Sequence, residues 1–150
     1  MNKKILFKVI SLVVLNVFMI STGISTFAAI KEPDSINWSY LHSCSHYFEV
    51  EETHENVDIY LCEASTCCAP QYQAYVKVQV QYLTSNGWED YLYMEDTDYA
   101  NVIVSRKVAV MPGYTYRLYL THKVLNSNGA VLETFGPYES DNYLTSLPRN

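Results

Sequence analysis

Hydrophobic and polar residues alternate along most of this chain, and the alternation predicts strands. From Tyr72 the even positions read Tyr72, Ala74, Val76, Val78, Val80 and Tyr82, while the odd ones read Gln73, Tyr75, Lys77, Gln79 and Gln81. A period of two sustained this long gives one buried and one wet face, as in a half-buried strand. Ser85-Asn86-Gly87 predicts a hairpin turn, with Trp88–Met94 returning as the partner strand. The acidic run Glu95-Asp96-Thr97-Asp98 is expected as a loop. Val102, Val104, Val108 and Val110 mark the next strand, with Arg106 the inner-face exception. Pro112-Gly113 turns the chain into Tyr114–Leu125, where Tyr116, Leu118, Leu120 and Val124 share a face. Asn126-Ser127-Asn128-Gly129 predicts a second hairpin onto Ala130–Phe135. Two shorter segments, Ser45–Val50 and Val57–Leu61, complete seven strands with short turns, which reads as an antiparallel β-sandwich.

The first 28 residues follow another pattern. Lys3, Lys4 and Lys8 precede an apolar run from Val9 to Ile20, and Thr26-Phe27-Ala28 has the small-x-small form of a signal-peptidase site. A signal peptide over 1–28 is expected, then a lead-in over 29–43 and one sandwich domain over 44–150. Val9–Ala29 is also long enough to cross a bilayer if tilted. Ser11, Asn16, Ser21, Thr22 and Gly23 interrupt it, which favours cleavage over anchoring. In the lead-in, Ile36, Trp38 and Tyr40 are positioned to pack against the sandwich edge.

Charge changes the picture further. The signal holds three of the ten basic residues and none of the sixteen acidic ones, so seven bases face sixteen acids in the mature part, a charge of −9. That opposes binding nucleic acid or an anionic surface through a general field. All fourteen tyrosines lie in the mature part, with Trp38 and Trp88. Tyrosine suits strands, and it also builds half-apolar, half-polar recognition surfaces. The outward face of the long strand, Tyr75, Lys77, Gln79 and Gln81, with Tyr91 and Tyr93 beside it, is the candidate binding surface for a sugar or an extended peptide.

Cys44, Cys62, Cys67 and Cys68 make an even number in an exported chain, and two disulfides are expected. Adjacent cysteines seldom bond to each other, because the small ring strains the peptide between them. Two pairings stay open: 44–67 with 62–68, or 44–68 with 62–67. A zinc alternative uses His42, Cys44 and His46, which would share one face of a strand, with a further cysteine as the fourth ligand. A calcium alternative uses the carboxylates of Asp90, Glu95, Asp96 and Asp98. The primary expectation is no metal and no cofactor, with His54 and His122 as surface and sandwich-face histidines.

Val110-Met111-Pro112-Gly113-Tyr114-Thr115-Tyr116-Arg117-Leu118 resembles the corner between the E and F strands of fibronectin type III domains. The resemblance covers the last eighty or so residues on the strand pattern. It implies an immunoglobulin/fibronectin III-like sandwich in which the Tyr116 hydroxyl bonds backbone just upstream. Val57–Leu61, the implied B strand, departs by lacking the usual tryptophan. The whole chain also resembles a loose family of uncharacterised small exported proteins of Gram-positive bacteria, with the region from Tyr116-Arg117 to Thr134, including His122 and Glu133, carrying the likeness. Neither resemblance implies an activity.

No nucleophile elbow or cysteine-protease signature is present. Glu49, Glu51, Glu52 and Glu55 could supply paired acids for a secreted glycan hydrolase, but they read as a charged strand end. The expected function is a secreted, non-enzymatic binding module for an extracellular or cell-envelope ligand, with no nucleic acid or membrane partner. A secreted antagonistic peptide or toxin is the other alternative, although the acidic charge argues against membrane disruption.

Overall fold

The computed structural model describes residues 38–145. The expected signal peptide, most of the expected lead-in and residues 146–150 lie outside them. In chain order the strands are β1 (Leu41–Thr53), β2 (Asp58–Cys68), β3 (Gln73–Thr84), β4 (Gly87–Tyr99), β5 (Asn101–Val110), β6 (Thr115–Leu125), β7 (Val131–Glu139) and β8 (Tyr143–Leu144). One sheet has the order β1-β2-β5; the other runs β4-β3-β6-β7, with β8 also paired to β6. Every pairing is antiparallel. The described chain is all-β, with two sheets packed as a sandwich.

The period-two pattern explains the core. Ala74, Val76, Val78 and Val80 of β3 and Leu118, Leu120 and Val124 of β6 are fully buried from one sheet. Phe48, Tyr60, Cys62, Ala64, Val104 and Val108 meet them from the other. A buried Val or Leu contributes about 1.5–3 kcal/mol relative to exposure, so this interleaving is the main stabilising term. Tyr116 is wholly buried, and its hydroxyl accepts the Met111 N–H at 3.2 Å. Thr145 ties the same corner, donating to the carbonyls of Met111 and Tyr114 and accepting the Tyr114 N–H.

Several strands run past their expected ends. β2 continues beyond Leu61 to Cys68 because Cys62, Ala64, Thr66 and Cys68 alternate inward as buried residues. β2 is also the middle strand of its sheet, so its backbone is paired on both sides. The cysteine-bearing segment after Leu61 is therefore strand. This overturns both disulfide pairings, each of which needs Cys62 joined to Cys67 or Cys68. At roughly 3.3 Å per residue, five or six steps along one strand separate those Cα atoms by about 16–20 Å. A disulfide holds them within about 7 Å. Cys44 lies opposite Thr66 on β1, and all four thiols are free. Burial pushes the Cys44 thiol up to about 11 and that of Cys62 up to about 12. Both are thereby kept in the unreactive thiol form.

The expected acidic loop is strand too. Glu95–Asp98 belongs to β4, where Glu95 opposes Lys77 and Asp96 opposes Val76. Neighbouring positions on a strand face opposite ways, so these carboxylates do not converge as a calcium loop would require. The zinc alternative fails for a related reason. A bulge between Leu41 and Ser43 displaces His42 from the register that Cys44 and His46 keep, and His42 is exposed. Among the described residues no three His, Cys, Asp or Glu side chains converge to hold a metal ion.

Candidate functional site

The outward face of the β4-β3-β6-β7 sheet carries the densest arrangement of aromatic and polar side chains. Strand pairing lays out its rows. Tyr93 and Tyr119 flank Gln79; Glu95 and Thr121 flank Lys77; Thr97 and Lys123 flank Tyr75. Asp90 and Arg117 flank Gln81, with Trp88 beyond them opposite Leu83. Alternation alone assigns Tyr75, Lys77, Gln79 and Gln81 to this face, and Tyr93 joins them.

Tyr91 does not. A register shift between Val80 and Gln81 pairs Val80 with Leu92 but Gln81 with Asp90, leaving Tyr91 as an extra residue. Its ring turns to the opposite side and packs edge-on against Tyr82 and Tyr116. Its hydroxyl donates to the Ala109 carbonyl of β5. The bulge that moves Tyr91 away is also what brings Asp90 onto the face.

The face is a connected network. Arg117 donates through Nη1 to Glu139 at 2.7 Å and through Nε to Gln81 at 2.9 Å, while its guanidinium lies 4.3 Å from the Trp88 ring centroid. The amides of Gln79 and Gln81 both donate to the Asp90 carboxylate, at 3.1 and 2.8 Å. The Tyr75 hydroxyl donates to Glu95, and Tyr93 is a second donor to it. These two hydrogen bonds, Tyr75's the larger, hold the Glu95 carboxyl below the usual range, and Lys77 and Lys123 act in the same direction. Burial and then the Glu95 bond push the Tyr75 hydroxyl up. Lys77 and Lys123 sit over the Tyr93 and Tyr75 rings at 5.4 and 5.0 Å. Side chains tied this way are held in place before any ligand arrives, which lowers the ordering cost of binding.

Sequence reasoning misses Trp88, Tyr119, Arg117, Lys123 and Glu139 as members of this face. The signal is present: once Tyr116, Leu118, Leu120 and Val124 face inward, residues 117, 119, 121 and 123 must face outward.

A second polar group lies inside the sandwich. His122 is wholly buried, flanked by the rings of Phe135 and Tyr138. Those two side chains sit three residues apart yet both reach it, because a bulge falls between them. Gly136 at this bulge has φ +101°, and a Cβ there would meet the Leu120 carbonyl oxygen at 2.5 Å, so the position requires glycine. The Thr66 hydroxyl donates to the Tyr75 carbonyl at 3.0 Å, so its oxygen accepts from His122 Nδ1–H at 2.8 Å. This network assigns the tautomer and leaves His122 Nε2 to accept the Tyr138 hydroxyl at 3.1 Å. The Tyr138 oxygen is 3.5 Å from His46 Nδ1. Burial, reinforced by His46, lowers the His122 pKa to about 4. His122, expected on a sandwich face, is thus a core residue bridging the two sheets.

The remaining candidates scatter. Glu51 and Glu52 form ion pairs with Lys107 at 2.9 and 3.5 Å, and His54 contacts Glu52. Glu49 accepts the Tyr47 hydroxyl at 2.9 Å. The four acids from Glu49 to Glu55 thus line the end of β1 and the turn after it, not the two walls of a cleft. Glu133 is structural, because its two oxygens accept the successive N–H groups of Ser39, Tyr40 and Leu41 at 3.0, 2.8 and 2.7 Å. No family model matches the chain, and neither the curated proteins nor the solved structures searched give a match.

Proposed function

We propose that this chain is an exported, non-enzymatic binding module that recognises an extracellular or cell-envelope ligand on the outward face of the β4-β3-β6-β7 sheet. The observation carrying this reading is the tied network from Glu139 through Arg117, Gln81 and Asp90 to Gln79, set among Trp88, Tyr93 and Tyr119. An ordinary solvated sheet face needs no such cross-bracing. The strand order β1-β2-β5 and β4-β3-β6-β7, with the Tyr116 hydroxyl bonded at its corner, supports a fibronectin III-like or immunoglobulin-like sandwich as the scaffold. Export rests on the charged and apolar start of the chain, in line with its likeness to small exported proteins of Gram-positive bacteria. A non-enzymatic role is supported by the scatter of the acids and by the burial of His122 away from solvent.

The test is a pull-down from cell-wall material and culture supernatant, with the wild-type protein and a Tyr93→Ala, Tyr119→Ala double variant immobilised in parallel. Both tyrosines lie outside the core, so the variant is expected to keep its thermal midpoint and lose whatever the wild type retains. Equal retention by the folded variant would remove the face from consideration.

A further inference from the structure

The same face also constrains the chemistry of its ligand. We infer, building on the reading of this face as the recognition surface, that it takes an uncharged glycan rather than a charged polymer or a peptide strand.

Charge is the first argument. The chain as a whole carries −6, yet the face holds three basic residues, Lys77, Arg117 and Lys123, against three acidic ones, Asp90, Glu95 and Glu139. Each is also engaged within the face. Glu139 meets Arg117, Asp90 receives two glutamine amides, and Glu95 receives two tyrosine hydroxyls beside the two lysines. A charged ligand would have to break one of these arrangements, and a polyanion would in addition face the acidic remainder of the molecule. A neutral one meets neither cost.

Backbone geometry is the second. β3 is paired to β4 on one side and β6 on the other, and β6 is paired to β3 and β7. The middle of the face therefore offers no free row of N–H and C=O groups. An extended peptide binds sheets chiefly by adding a strand at an edge, a mode that the paired strands in the middle of the face do not offer. Recognition must come from side chains alone.

The side chains fit a sugar. Tyr93 and Tyr119 lie on either side of Gln79, and Trp88 lies beyond the Gln81 row, opposite Leu83. Tyr93 is 50 % exposed, which leaves ring surface for the C–H face of a pyranose. Planar amides and carboxylates between the rings offer donors and acceptors in the plane where ring hydroxyls project. A sugar brings both kinds of group together, apolar faces and a hydroxyl rim, which is the pairing these rings and amides present.

The experiment measures retention of the purified protein on cellulose, chitin, mannan and starch, with alginate and heparin as polyanions, at low and high salt. Retention on a neutral polysaccharide should be insensitive to salt and about tenfold weaker for the Tyr93→Ala, Tyr119→Ala variant. Tyr47→Ala, exposed on the other sheet, should bind as wild type. Retention by the polyanions alone, or by none of the six, would overturn the glycan inference. A protein or peptide captured from supernatant and lost in the double variant would also overturn it, while leaving the face itself in place. Neutral-glycan retention equal in the double variant would sink the face reading as well.

Discussion

Where β1 meets β7, the sandwich is stitched shut; where β4 faces β5, it stands open. At the first edge Glu133 of β7 gathers three backbone N–H groups at the start of β1. Trp38 packs edge-on against Phe135, and His46 approaches Tyr138. At the second, a cleft of about 530 Å³ lies between residues 93–96 of β4 and residues 103–106 of β5. Further along the same two strands, the Tyr91 hydroxyl donates to the Ala109 carbonyl. The contrast explains why Arg106, at an inward position of β5, is nevertheless exposed: the opening lets its guanidinium reach water. It also shows two ways of managing a sheet edge. One is covered by chain; the other carries Glu89, Asp90, Glu95, Asp96 and Asp98 on β4, and such charge discourages pairing with another molecule's strand.

The sharpest way to break this comparison is Glu133→Ala. It removes the acceptor of three N–H groups at once, two of them part-buried and that of Ser39 exposed, and an expected loss of about 2–3 kcal/mol follows from leaving the two part-buried donors unsatisfied. Denaturant melts measure it. A loss below about 0.5 kcal/mol, the range of an ordinary surface change, would mean that packing of Trp38 and Tyr40 closes the edge unaided.

Acid should attack the closed side next. His122 has its folded pKa lowered from 6.5 to about 4, so the unfolded chain binds the extra proton first as pH falls. Its contribution is complete above pH 6.5 and is lost between there and about pH 4, a total of about 3 kcal/mol. Desolvation shifts His46 in the same direction, which adds to the slope. Burial opposes the charge of Glu133, but its three backbone bonds outweigh this and hold its carboxyl below the usual range. Its share is therefore present above the unfolded carboxylate pKa and disappears as pH falls through the folded one. Stability measured at several pH values for wild type and His122→Gln checks the assignment. Parallel slopes would show that His122 is not the titrating group.

The smallest effect belongs to the open edge. Tyr91→Phe deletes the hydroxyl that reaches Ala109 and should cost about 1 kcal/mol, with faster hydrogen exchange in β5. Unchanged exchange would mean that the β2 pairing alone holds β5.

Much of the architecture is legible because one rule, alternation, wrote it. Val76, Val78 and Val80 leave no doubt about an inward face, and Val110 to Leu118 carry a corner in their local spelling. Residues that break the period are harder. Tyr91 looks like an outward residue until the bulge opposite Val80 and Gln81 is known, and nothing in the letters marks that extra residue. Cys62, Ala64, Thr66 and Cys68 are small, and small residues do not advertise burial as valines do. His122 sits in plain view of the pattern, between Leu120 and Val124, yet a histidine there does not announce that it is sealed from water. Its partners Thr66, Tyr138 and His46 lie on three other strands, so its satisfaction is a tertiary fact. The binding face divides the same way: its members follow from parity, whereas the hydrogen bonds tying them depend on register.

The placement of three cysteines along β2 bears on how the chain reaches its fold. A bond from Cys62 to Cys67 or Cys68 needs the intervening residues looped, whereas β2 needs them extended. The two are mutually exclusive, so an oxidant that arrives before β2 zips between β1 and β5 closes a trap, and one that arrives afterwards finds Cys62 and Cys68 already enclosed. Timing, rather than a sulfur staple, then governs the yield of correctly assembled molecules, and a reductant present during refolding speeds their recovery.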